Sequence, residues 1–226
     1  MEEVCERGPA PMADRRRLID YRPVMTTALL PLFLLALPAA PLPPVWVIGE
    51  GFRVDPLTGK VREEQRIDGN PIPADFDYTR RNLAWDDAKR EVSLSAARNE
   101  IVAFQVQIRG PATGVSVTAS DIDVFKQWYI HVATNSSNKD STTAGYNLGK
   151  GWYADALIPV TATSGFGQPF DIPDKMNGIA AQQWQGVWID IHVPRDVPPG
   201  DYAGTLAVAG VGIRKQELTV KLKVYD

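Results

Sequence analysis

The chain has one cysteine, Cys5, so no disulfide can form within it, and a zinc site built from several thiolates is excluded. Its two histidines, His131 and His192, lie 61 positions apart, each inside an apolar alternating run, and read as strand residues rather than ligands. Basic residues do not outnumber acidic ones (24 against 27, net charge -3), so nothing marks the chain for neutralising nucleic-acid phosphates. No Ser-His-Asp order, nucleophile elbow or phosphate-cradling glycine loop is present. No stretch holds a 3.6-residue apolar stripe of useful length, which argues against helices as the main element. Metal, cofactor and catalytic residues are therefore expected to be none in this chain.

Even the longest apolar run is short. Ala28–Ala40 reads ALLPLFLLALPAA, below the roughly 20 residues that span a bilayer, and Pro31 and Pro38 weaken it as a helix. Arg15, Arg16, Arg17 and Arg22 precede it and small residues close it, which is the pattern of a secretory signal cut near Ala39–Ala40. An uncleaved anchor is the alternative reading. The polar flank is long for such a leader, so translation from Met12 or Met25 is a second way to read it. The expectation is a leader over 1–40, a secreted or periplasmic product, and no stable membrane association after cleavage.

What is abundant is turn chemistry and alternation. Gly and Pro number 18 each, enough to punctuate many short elements. Between them lie runs with period two. Ile101–Arg109 sets Val102, Phe104, Val106 and Ile108 on one face and Gln105 and Gln107 on the other. Gln185–Val193 and Gln216–Val224 alternate likewise, and shorter strands are expected at Val45–Ile48, Leu83–Trp85, Glu91–Ser95, Val115–Ala119, Ile122–Ala133, Ala156–Val160 and Tyr202–Ala209. Asp86-Asp87-Ala88-Lys89 and Pro194–Gly200 read as turns, and 63–80 and 135–151 as long loops, the first either on the surface or crossing the fold. The fold class is all-β: one domain over 41–226, a two-sheet antiparallel β-sandwich of immunoglobulin or jelly-roll type.

Four stretches carry a family resemblance. They are Ala97-Arg98-Asn99-Glu100 leading into Ile101–Gln105, Gly151–Pro159, Val187–Asp196, and Pro199–Thr205. In that order and spacing the chain, from about Val45 to Asp226, resembles the N-terminal β-sandwich domain of glycoside hydrolase family 123 and its uncharacterised relatives. The resemblance implies a (β/α)8 barrel after the sandwich, whose adjacent Asp-Glu pair acts on N-acetylgalactosaminides through the substrate's own acetamido group. No Asp-Glu dipeptide occurs in this chain, so that activity does not carry over to it. A non-catalytic accessory domain is expected, cut short before its barrel. The alternatives are a free-standing carbohydrate-binding module and an extracellular structural or adhesion domain.

The acidic pairs that do occur have plainer readings. Asp86-Asp87 belongs to a turn, and Glu63-Glu64 reads as a solvated charge pair. Trp152, Tyr153 and Asp155, joined by Trp184, are the candidate carbohydrate or interdomain contacts, because sugar rings stack on aromatics and carboxylates bind their hydroxyls. Trp46, Trp85, Trp128 and Trp188 fall in strand patterns. Asn135-Ser136-Ser137 fits the N-glycosylation pattern.

Overall fold

A computed structural model of the protein describes residues 42–65, 72–73, 76–120, 122–134, 148–163 and 165–226. The leader, the glycosylation pattern at Asn135 and most of the 135–151 loop lie outside the described residues, as does part of 63–80.

Among the described residues, eleven strands form two sheets. The first holds β1 (Val45–Gly49), β4 (Ile101–Arg109), β9 (Trp184–His192), β6 (Asp123–Val132) and β7 (Gly151–Pro159), in that spatial order. The second holds β2 (Trp85–Asp86), β3 (Glu91–Ala97), β11 (Ile213–Tyr225), β10 (Gly200–Val211), β5 (Ala112–Ala119) and β8 (Phe170–Ile172). Neighbouring strands run antiparallel except β3 and β11, which are parallel. The expected sandwich is therefore present, with one parallel pair that arises because the last strand closes the sheet beside the third.

Period-two patterning decides which residues fill the space between the sheets. On β4, Phe104, Val106 and Ile108 are buried beside Val187 and Ile189 of β9 and Val45 and Val47 of β1. From the other sheet Leu206, Val208, Leu218 and Val220 complete the core. At about 25 cal/mol per Å² of apolar surface, each such side chain contributes on the order of 2 kcal/mol.

The opposite face of the five-stranded sheet is also covered. Gln105, expected to point away from the core, is buried, and its amide donates to the carbonyls of Gly49 (3.1 Å), Glu50 (3.3 Å) and Phe52 (2.7 Å). Trp46 packs on Tyr78, with ring centroids 5.6 Å apart. The described parts of the chain between Glu50 and Asn82 thus cross this face, and a second buried layer forms there. Glu63 and Glu64 take part in it: Glu63 is buried and bonded to the Arg53 guanidinium at 3.2 Å, while Glu64 accepts the Tyr78 hydroxyl proton. The reading of these glutamates as a solvated pair is corrected accordingly.

Gly59 shows how tightly the layer fits. Its φ is +70° and a Cβ built on it would fall inside the Trp184 indole. Gly59→Ala is expected to lower stability by about 2–4 kcal/mol, from overpacking together with left-handed strain, as read from a urea midpoint. A loss under about 1 kcal/mol would show that the turn yields freely.

Candidate functional site

The crossing segment turns back at Asp55-Pro56, where Asp55 Oδ1 accepts from the amides of Leu57 (2.8 Å) and Thr58 (3.3 Å). The other carboxylate oxygen accepts from Arg62 Nη1 at 2.7 Å, and the Arg62 side chain is 2% exposed. Arg62 Nη2 donates to the carbonyls of Leu148 (3.1 Å) and Lys150 (2.6 Å), and its guanidinium lies 4.4 Å from the centroid of the Tyr153 ring. Tyr153 donates its hydroxyl proton to the Gly149 carbonyl at 2.6 Å. One guanidinium therefore ties the start of β7 to the crossing segment. Gly151, at φ +141°, leaves room for it, since a Cβ there would collide with Arg62 Nη1.

Successive strand residues face opposite ways, so Trp152 leaves Tyr153 on the other side. Trp152 pairs across the strands with His131, their ring centroids 4.8 Å apart; it is half-buried and His131 exposed. The register slips between Trp128 and Tyr129, which oppose Ala156 and Ala154, and Asp155 is the extra residue of this bulge, exposed on the edge strand. Bulges re-aim side chains in this way. Trp184 lies elsewhere: it is 1% exposed, beneath Gly59, with its amide and that of Gln183 both donating to the Pro56 carbonyl at 2.9 Å. The four candidate contacts do not form one platform. Trp152 and Asp155 are reachable from solvent, Tyr153 is a strut under Arg62, and Trp184 is a core residue.

Each adjacent acidic pair among the described residues is engaged. Asp87 sits between Arg80 and Arg90, 2.6 Å from each, and Asp86 lies 3.6 Å from Lys89. Among the described residues no three His, Cys, Asp or Glu side chains gather as a metal site. The composition did not point to a buried ion pair, yet Lys126 is fully buried on the inward face of β6 and donates to Asp174 Oδ2 at 2.8 Å. Lys126 stands two residues after Val124, in the same inward register, which is the one local sign of its burial.

Two tyrosines are held neutral. Burial, then the hydrogen bond to Glu64, raises the Tyr78 hydroxyl well above its ordinary range, and burial does the same for Tyr129, whose hydroxyl accepts from the Gly186 amide at 2.8 Å. A raised folded pKa means the folded state keeps protons that the unfolded chain releases. Their contribution is therefore complete below about pH 10, the ordinary tyrosine value, and is lost as pH climbs past it. Alkaline titration followed by tyrosinate absorbance is expected to show a late step coincident with unfolding; reversible early titration of every tyrosine would contradict this.

A family model described as the glycoside hydrolase 123 N-terminal domain matches residues 73–210, more than half of the chain. No curated protein matches. Among solved structures, a family 123 glycoside hydrolase from Clostridium perfringens, reported for glycolipid glycan hydrolysis, aligns at 12% identity and a TM-score of 0.49, covering 80% of this chain and 27% of its own. The chain thus spans about a quarter of that enzyme's length. A PapD-like domain of human CEP192 aligns at 12% identity and TM-score 0.26, covering 61% of this chain and 82% of that one. The CooA pilin subunit of enterotoxigenic Escherichia coli aligns at 12% identity and TM-score 0.23, covering 80% and 97%.

Proposed function

Because the chain belongs to the glycoside hydrolase 123 N-terminal domain family, we propose that it is the non-catalytic accessory sandwich of a secreted or periplasmic glycoside hydrolase-like protein. Its partner is a (β/α)8 catalytic domain supplied outside these residues. The family match is the observation that carries this reading. The engaged acidic pairs support it, since glycoside hydrolysis by paired carboxylates needs them roughly 5–9 Å apart across an open cleft, free to exchange protons with substrate. In this chain Asp86, Asp87 and Glu63 are tied to lysine or arginine partners, and Glu64 to a tyrosine. Within the assembly, Trp152 and Asp155 on the edge strand are the residues available to a glycan.

Two measurements test the proposal. The encoding DNA is expected to continue in frame past the codon for Asp226 into alternating strands and helices, and a stop codon there would sink the accessory reading. The chain alone is expected not to hydrolyse an aryl N-acetylgalactosaminide. Turnover by the purified chain would overturn the non-catalytic assignment.

A further inference from the structure

The inward face of the six-stranded sheet has a gap. Facing the first sheet, β10 and β11 present the pairs Leu206 with Leu218, Gly204 with Val220, Tyr202 with Leu222, and Gly200 with Val224. The β11 members and Leu206 are buried. On β10 the glycines contribute no side chain, and Tyr202 is turned toward solvent, its hydroxyl donating to the Pro198 carbonyl at 2.7 Å. A Cβ added at Gly204 meets nothing within 4 Å. The result is an open cleft of about 310 Å³ between the sheets, walled by Ile122, Ile191, Val193, Val197, Leu222 and Val224.

A glycine inside a strand costs conformational entropy and forfeits packing, and it marks places where another group approaches closely. The cleft's surroundings indicate which group that is. Its walls are mostly apolar, with Ser120, His192 and Tyr202 as the members that carry a polar group and the Tyr202 hydroxyl already donating to Pro198, so little would orient a small polar ligand. The last strand also ends here: Val224 lines the cleft, and the next residue, Tyr225, is half-exposed at the end of β11. The β3–β4 turn closes the same end, with the Asn99 amide donating to the Val193 carbonyl and the Val193 amide to that of Glu100, each at 2.9 Å. A domain attached after β11 is tethered at this rim, where a short link holds it at millimolar effective concentration.

We propose that this cleft seats an apolar side chain from the domain that follows β11, so that the space left by Gly204 is filled across the domain boundary. The proposal rests on the accessory-domain reading above. In the 226-residue chain alone, Gly204→Phe is expected to leave the fold and melting temperature unchanged or raised. In the longer protein the wild type is expected to unfold in one transition and to protect 191–197 and 220–225 from hydrogen exchange relative to the chain alone. Gly204→Phe there is expected to split the transition in two and to speed exchange in those segments at least tenfold, while Leu83→Glu, on a distant exposed turn, does neither. Should the phenylalanine destabilise the isolated chain, Gly204→Val is read in the same way. A single transition and unchanged exchange in the filled variant would overturn the proposal and leave the accessory reading standing, whereas a reading frame that closes after Asp226 overturns both.

Discussion

Arg62→Ala is expected to lower the melting temperature by roughly 6–20 °C. The side chain is 2% exposed and holds a buried carboxylate, two carbonyls and an aromatic ring at once. Removing it leaves Asp55 buried without its cation, a change that costs about 3–5 kcal/mol when one partner of a buried pair is lost. For a domain of this size each kcal/mol moves the midpoint by about 2–4 °C. Lysine is expected to rescue little, because one ammonium cannot reach the carboxylate and both carbonyls together or lie flat on Tyr153. The destabilisation should appear first as faster exchange at 148–153, the segment that the guanidinium anchors. A shift under about 2 °C would show that Asp55 and the crossing segment find other partners.

Lys126→Ala is expected to cost about as much, some 3–5 kcal/mol by urea denaturation, for a related reason. Its ammonium is the cation on Asp174 inside the sandwich, 5.6 Å from the ring centroids of both Trp128 and Phe170. Asp174 also acts on the backbone. Its other carboxylate oxygen accepts from the Met176 amide at 2.9 Å and so caps the short helical turn Lys175–Asn177. The double variant Lys126→Met with Asp174→Asn removes both charges while keeping an oxygen for that cap. It is expected to recover more than about 1 kcal/mol relative to the sum of the single changes, since residues in contact are not additive. Simple additivity would mean that the pair does not act as a unit.

Much of the fold was legible because alternation reports face. Ile101–Arg109 and Gln216–Val224 are strands with the inward residues expected of them. Alternation does not report what lies on the second face. Gln105 and the Glu63-Glu64 pair look like solvent-facing groups locally, yet Gln105 and Glu63 are buried and Glu64 half-buried, through a segment about 55 residues from Gln105 and through Arg53 and Tyr78. The four candidate contacts lie apart for similar reasons. Trp152 and Tyr153 are neighbours in the chain and so face opposite ways. Arg62, which decides the role of Tyr153, is remote in sequence, and the bulge that isolates Asp155 leaves no mark in composition. Trp184 opens a strand after a polar stretch and looks exposed, but its cover comes from Pro56 and Gly59. The family resemblance fared better because it used order and spacing over the whole domain, and the matched family model bears it out.

The place of β11 has a consequence for how the protein is made. The last strand of the sandwich to be synthesised lies in the interior of its sheet, between β3 and β10. Until residues 213–225 emerge from the ribosome, β3 lacks its parallel neighbour and the sheet exists only as separate halves. Such non-local closure is slow and comes late. A sandwich of this design cannot complete its six-stranded sheet until its last residues are made.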